Sequence, residues 1–564
     1  IYFFLRCLDK DFEIDMKKFG LLILEAVIGV MISAVIFLPS ALSVMGNYRV
    51  NERLYGLDLV IYGENVRIPR IIQSFFMLSD MPARINILNS NKARWASMAG
   101  YLPMFSMAGV IAFMRTRKKG KDSWLTKAII VFGIMACVPI LNSSFVLFNA
   151  SYYARWYYMP ILLMCLMTAK VIAENKDDLK KGFVPVCVVC AIFIGIGLLP
   201  TNENGVVSYG KVPEYIELYY IQAIVTIVMI IMLGVLIYVV AEKKLDYMKI
   251  ASAMTAVAVV ICMTSSIVYG VTQGTDNTDY INRAINGGDS INMDKLESGS
   301  ENYNADNNFY RIDTSENVDN WCMFWKLSSM RCFHSVVSTS IMDFYSSIGQ
   351  TRDVASRMET KVYPLRSLFS VKYYFNELTE SERKGITEVS KPETLANLYG
   401  FEYVDTQNGF NIYENKYYVP MGFTYDYYCL DSDIQKASEV DKTSMLMKAL
   451  VLTPEQAAKY NNILSYYSFK GTDYSTDQYY QNCCSSFSYD SYGFNAKIDL
   501  DKDNLVFFSV PYDDGWSAKV NGQDVEIEKV DYGFMAVLCP AGSNNIQFTY
   551  ETKGLFWGKV ITAV

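Results

Sequence analysis

Hydrophobic and polar positions divide the chain into two kinds of text. Up to Val271 the pattern is long unbroken apolar runs, the length that crosses a bilayer as a helix. Seven such runs are predicted: Phe19–Pro39, Met98–Met114, Leu125–Leu141, Met159–Ala173, Phe183–Leu199, Leu218–Val240 and Ile250–Val271. Another starts near Leu555. The chain opens on Ile1 and closes on Val564, each inside an apolar stretch, and is read as part of a longer protein.

After Val271 the runs shorten and become polar. Residues 272–304, rich in Gly, Asn and Asp, predict a flexible linker. Phe309–Asp313 and Leu368–Phe375 predict strands, Trp321–Ser328 and Thr339–Ser347 short helices, and Ile463–Phe469 fits either. Further on, Phe494–Leu500, Leu505–Val510, Trp516–Val520, Val525–Val530, Phe534–Cys539 and Asn545–Tyr550 alternate as short strands. Asn521–Gly522 between two of them is a type I′ hairpin signal, and the series predicts a β-sandwich. The expected architecture is a polytopic α-helical membrane domain followed by an extracytoplasmic α/β and β-sandwich domain. Its divisions are 1–271 membrane, 272–304 linker, 305–470 mixed α/β, 471–553 sandwich and 554–564 the start of a further span.

Charge sharpens this division. Residues 272–553 hold 40 acidic and 24 basic side chains, a net of −16, and the remainder carries +9. Nucleic-acid binding wants a concentrated basic face, which this distribution lacks. Basic residues cluster before the first run (Arg6, Lys10, Lys17, Lys18) and after the second, in Arg115–Asp122. They recur after the fourth (Lys176, Lys180, Lys181) and the sixth (Lys243, Lys244, Lys249). By the positive-inside rule these loops are cytoplasmic. Gly46–Ala96, Asn142–Tyr158, Thr201–Glu217 and the polar C-terminal part are then outside.

Metal and nucleophile chemistry find little support. His334 is the single histidine, so a Ser-His-Asp triad would need it as base, and no paired CxxC motifs suggest zinc. Cys187 and Cys190 have CxxC spacing inside an apolar helix, where packing accounts for them; a Cys322–Cys332 bridge fits the spacing. Asp431-Ser-Asp433, Asp501-Lys-Asp503 and Asp9-Lys-Asp11 match a cation-binding DxD pattern, but three hits in one chain mark it as a cheap match in polar turns. No cofactor is indicated, and a divalent cation stays open.

The loop Asn149–Met159 offers more. Arg155 stands among Phe148, Tyr152, Tyr153, Trp156, Tyr157 and Tyr158, between two apolar runs. A guanidinium gives charge-assisted, bidentate contacts to phosphate, and Tyr152, Tyr153 and Trp156 offer surfaces for a lipid chain or a sugar. The same composition also describes an aromatic belt with one solvated cation. In Gly46–Ala96, too long for a plain connector, Arg49, Arg53, Arg70 and Arg94 are further cations and Asp80 an external carboxylate, each also readable as solvated or structural. Ile71–Leu78 there suits either an amphipathic helix on the membrane surface or an ordered loop packed on the helix ends. Trp516, in Asp513-Asp514-Gly515-Trp516, is a sugar platform or a core anchor.

Taken together, several stretches carry a family resemblance. They are Val510–Gln523 (VPYDDGWSAKVNGQ), Gly533–Phe534, the apolar run after Gly554, Ser370–Phe375 (SVKYYF) and Arg155–Trp156 behind an aromatic loop. In this order and spacing the chain resembles the YfhO family of bacterial polytopic membrane proteins over essentially its whole length. The resemblance implies a GT-C-like glycosyltransferase of the bacterial cytoplasmic membrane. Such an enzyme moves a sugar from a polyprenyl-phosphate carrier to a cell-envelope polymer such as lipoteichoic acid, outside the bilayer. It also implies an Arg at position 49 and a catalytic carboxylate in a first external loop, upstream of Ile1. The expected donor-phosphate ligands are therefore Arg155 and Arg49, with Tyr152, Tyr153 and Trp156 against lipid or sugar, and no catalytic base is assigned.

A rival reading is a non-catalytic transporter or scaffold with an external interaction domain. Glu25 is the one acid well inside an apolar run, too little for a proton relay. No inverted repeat of the transporter kind is evident.

Overall fold

The computed structural model describes residues 15–46, 52–81, 84–90, 95–117, 123–150, 152–203, 206–243, 246–273, 277–300, 307–316, 318–334, 337–350, 355–385, 398–468 and 482–564. It divides into two compact units: Ile1–Glu25 with Arg49–Thr275, and Ala26–Tyr48 with Asp276–Val564.

The first unit is helical. Among the described residues of the chain, four helices are long and apolar enough to cross a membrane: Arg155–Glu174, Lys176–Gly197, Ile216–Val240 and Tyr247–Val271. The count rises to six if each of two bent pairs is one span. Ser123–Cys137 continues into Pro139–Val146 through a 103° bend, because Pro139 has no amide to extend the helix and instead starts a new turn. Met16–Ile32 meets Ala34–Met45 at 75°. The expected seven spans are thus corrected at the second. Within Met98–Met114 only Ala108–Thr116 includes helix. Its first half holds Gly100 and Pro103, with positive φ at Met104 and Ser106, and wraps the end of another helix. Ser106 Oγ donates there to the Phe76 carbonyl at 3.1 Å. Irregular backbone of this kind is tolerated at membrane depth when protein covers it.

Small residues let these helices approach. A Cβ on Gly182 would lie 1.9 Å from the Ala108 carbonyl oxygen, and one on Gly109 would lie 2.2 Å from Thr168 Oγ1. Such close crossings drive association where lipid removes the hydrophobic force between helices. Leu162, Val188, Ile231 and Val260 stay exposed, as lipid-facing residues do.

In the second unit the parts are strands and short helices. The region read as a linker is instead built of helical turns over Asn277–Tyr280, Ile281–Ile285, Gly287–Ser290 and Met293–Ser298. Ala284, Ile291 and Leu296 join Trp321, Trp325 and Phe375 in one core, an apolar contribution that the surrounding Asn and Gly conceal in the sequence. A mixed sheet follows, in the order Arg311–Thr314, Val371–Glu377, Phe410–Asn415, Phe401–Gln407. Cys322 and Cys332 are not bridged.

The sandwich pairs two antiparallel sheets. One runs Ser486–Tyr489, Gly493–Leu500, Gly542–Tyr550, Trp516–Val520, Gln523–Val525; the other runs Ile527–Val530, Phe534–Cys539, Asn504–Pro511, Phe423–Thr424. Gly493–Leu500 alternates buried and exposed positions because one of its faces meets solvent. Asn504–Pro511 does not alternate. Val506 and Phe508 face the sandwich core, whereas Leu505 and Phe507 enter the core of the mixed α/β region. The shared sheet, with Phe423–Thr424 at its edge, means that no boundary falls at residue 470. Asn521 and Gly522 both have positive φ, at 53° and 82°, as the type I′ turn requires.

The same unit holds an apolar helix pair. Leu555–Ala563 packs on Ala34–Met45 through Gly558, where a Cβ would lie 2.6 Å from the Ala34 carbonyl. Thr562 Oγ1 accepts the Val35 amide at 3.0 Å and donates to the Met31 carbonyl at 3.1 Å, satisfying groups left open by the break at Ser33.

Candidate functional site

The helix Arg67–Phe76 and the aromatic loop 152–158 form the candidate site in the helical unit. The helix is inverted relative to a water-soluble one. Arg67, Arg70, Gln73 and Ser74 are buried, while Ile68 and Ile72 are exposed. Polar side chains that face the protein, with isoleucines outward, suit a helix bathed in lipid. Ile71–Leu78 is thus helical as far as Phe76 rather than a loop, and the polar face of that helix is packed inward.

Arg67 pairs with Glu64 at 3.1 Å, and its guanidinium lies 5.6 Å from the ring centres of both Tyr62 and Tyr152. Tyr62 donates to the Ala136 carbonyl at 2.7 Å and accepts from Asn142 Nδ2 at 2.8 Å. Asn142 Oδ1 in turn accepts the Trp156 indole N–H at 2.9 Å. Trp156 is buried and stacked on Phe145 with ring centres 4.4 Å apart, and it walls an apolar cavity of about 210 Å³ with Ile71, Phe75, Phe132 and Met164. Arg155, one residue before it, is exposed, and its guanidinium lies 4.6 Å from the Tyr153 ring centre. A cation over an aromatic face is attracted by the ring quadrupole and is held in place without losing its hydrogen-bond donors.

Arg53 holds the start of this loop by donating to the Leu147 carbonyl, and the Ala150 amide donates to the Glu52 carbonyl at 3.0 Å. Arg49 and Arg94 lie outside the described residues.

A second polar group lies at the far end of the helix. Gln222 donates to Asp80 Oδ1 at 3.1 Å and to the Ser79 carbonyl at 3.2 Å, and it accepts from Asn86 Nδ2 at 2.5 Å. Burial pushes the Asp80 carboxyl above the usual carboxylate range, against the opposing effects of the Gln222 hydrogen bond and the Arg70 charge. Among the described residues no direct ion pair joins Asp80 and Arg70, and Arg70 Nη1, Gln73 Oε1 and Asn86 Oδ1 have no hydrogen-bond partner.

The family whose model is described as "Bacterial membrane protein YfhO" matches residues 1–488 and 478–562. The chain belongs to the YfhO family. It is also similar to the protein named "Uncharacterized protein YfhO" of Bacillus subtilis (strain 168), 41% identical over 51 residues. That stretch is 9% of this chain and 6% of the relative, so the local likeness spans a small part of either. No solved structure matches. This member of the YfhO family is accordingly a multi-pass membrane protein with a largely β-sheet C-terminal region.

The sequence pattern marks the aromatic loop but not its neighbours Tyr62, Glu64, Arg67 and Asn142, nor Gln222 in the second polar group. One signal was present: Arg67, Arg70, Gln73 and Ser74 fall at i, i+3, i+6 and i+7, one face of a helix. Of the DxD pairs, Asp9 and Asp11 lie outside the described residues, and three acids of the other two pairs are hydrogen-bonded. Asp433 accepts the Leu430 amide at 3.1 Å, Asp431 accepts from the Tyr532 hydroxyl at 2.7 Å, and Asp503 accepts the Ala541 amide at 2.8 Å.

Proposed function

We propose that the protein is a membrane glycosyltransferase of GT-C type that moves a sugar from a polyprenyl-phosphate carrier to a cell-envelope polymer such as lipoteichoic acid. Transfer occurs on the outer face of the bacterial cytoplasmic membrane, with the C-terminal region extracytoplasmic. Arg155, assisted by Arg49, binds the donor phosphate; Tyr152, Tyr153 and Trp156 contact its lipid or sugar; Arg70 is a further cation.

The observation that carries this reading is the adjacency of Arg155 to the Trp156 cavity. An exposed guanidinium braced on Tyr153 stands one residue from an apolar slot in a membrane unit. A prenyl phosphate joins an anion to an apolar chain in the same way. As the sugar departs, negative charge collects on the phosphate, and a fixed guanidinium stabilises it more than it stabilises the ground state.

The test is sugar transfer in membranes carrying the full-length protein. Arg155→Ala is expected to lower transfer about a hundredfold or more, with expression and membrane insertion unchanged. Transfer at the normal rate would remove Arg155 from the site.

A further inference from the structure

The β-rich unit holds a cavity of about 300 Å³ that the donor site does not use. It opens beside the C-terminal end of the apolar helix Ala34–Met45, where the Val510–Gln523 stretch turns past it. Two backbone approaches build this turn. A Cβ on Gly515 would lie 2.4 Å from the Glu551 carbonyl oxygen, and one on Gly533 would lie 2.1 Å from that of Ser340. The Tyr512 amide donates to the Gly533 carbonyl at 2.8 Å. The Asp-Asp-Gly-Trp and Tyr-Gly-Phe pieces, distant in sequence, are thus fastened together at the cavity wall.

The charges in the wall largely cancel. Lys553 pairs with Asp514 at 2.9 Å, and Lys529 pairs with Asp343 at 3.0 Å. Neither an anion nor a cation finds an uncommitted counter-charge in those pairs. Asp513 is different. Its Oδ1 accepts the Gly515 amide at 2.9 Å and the Tyr550 hydroxyl at 3.4 Å, and among the described residues Oδ2 has no hydrogen-bond partner. Tyr512 and Tyr550 line the same cavity. A carboxylate oxygen accepts hydroxyl donors strongly, and aromatic rings offer apolar faces with a polar tip. Together they suit a ring that has hydroxyls at its edge and C–H groups on its face.

We propose that this cleft binds a neutral hexose unit, presented either by a soluble polymer or by a glycolipid headgroup. The proposal deepens the glycosyltransferase reading, on which it rests for why a sugar is at hand. Trp516 is not in the wall. It packs behind Tyr550 with ring centres 4.9 Å apart and supports the platform.

The full chain in nanodiscs is probed in two arms. Saturation-transfer NMR reads binding of soluble linear hexose tetramers, and native mass spectrometry counts monohexosyl-diacylglycerol retained by the released protein. Binding in the first arm identifies a polymer as the source; retention only in the second identifies a lipid headgroup. Asp513→Asn keeps the acceptor for Gly515 and is expected to weaken binding about tenfold or more; Tyr550→Phe, which keeps the ring, should weaken it less. Arg155→Ala should leave binding intact while removing transfer, which separates failure of this proposal from failure of the donor reading. No binding in either arm, or equal binding by wild type and Asp513→Asn, overturns the proposal.

Discussion

Arg366 and Arg70 are both almost wholly buried, and they differ in what meets them. Arg366, in the β-rich unit, donates from Nε to Asp313 at 3.0 Å, from Nη1 to the Glu359 carbonyl at 3.1 Å and from Nη2 to the Met358 carbonyl at 3.1 Å. Arg331 closes on the other oxygen of Asp313 at 3.1 Å. In the helical unit Arg70 has Nη1 without a partner among the described residues and reaches Asp80 only through space. A buried charge such as Arg366, with every guanidinium nitrogen bonded, is architecture. One with open hydrogen-bonding capacity, near other unsatisfied polar atoms, is where a site is to be sought.

The largest test of this contrast is Asp313→Asn. Removing the shared carboxylate leaves two buried guanidinium groups uncompensated, which costs about 3–5 kcal/mol. Chemical unfolding of the full chain, followed by tryptophan fluorescence, should show this loss; a loss no larger than a surface substitution would make the trio ornamental.

Asp531 gives an effect of opposite sign. Its carboxyl is fully buried and Oδ1 accepts the Val451 amide at 2.7 Å, yet Oδ2 has no partner among the described residues, and burial pushes its pKa up to about 8. The folded state therefore holds a proton that the unfolded chain releases near pH 4. The stabilising contribution is full below about pH 4, falls as pH rises, and is lost above about pH 8. Asp531→Asn keeps the acceptor and removes the ionisation. It should stabilise on the order of 1–3 kcal/mol at pH 8, little at pH 4, and flatten the profile between them.

The smallest stability effect is expected at the other arm of the comparison. Arg70→Met replaces an incompletely satisfied cation by an apolar chain of similar reach, so unfolding should change by less than about 1 kcal/mol. Sugar transfer should nevertheless fall more than about tenfold. If Arg70→Met destabilises as much as Asp313→Asn, Arg70 is structural and the contrast fails.

The sequence by itself determined the division into an apolar helical part and a polar β-rich part. Unbroken apolar runs and period-2 alternation are local signals, and Gly493–Leu500 and Tyr247–Gln273 are built as their patterns predict. It also marked Arg155, because a cation among aromatics is visible without a fold. Tertiary structure decided what neighbouring elements impose. Met98–Met114 has a span's composition but is half irregular, since it wraps the end of Arg67–Phe76. Residues 277–298 look like a linker because their few apolar side chains acquire meaning only against Trp321 and Trp325. Asn504–Pro511 shows no alternation because two cores claim its two faces. The partners of the aromatic loop, Tyr62, Arg67 and Asn142, come from segments about 14 to 90 residues away; the Asp313 trio spans 18 and 53 residues, and the Asp513 cleft gathers residues from much greater separations. A hydrogen bond or ion pair between such positions leaves no periodic trace along the chain, so only the folded arrangement shows which charged residues are satisfied and which are open.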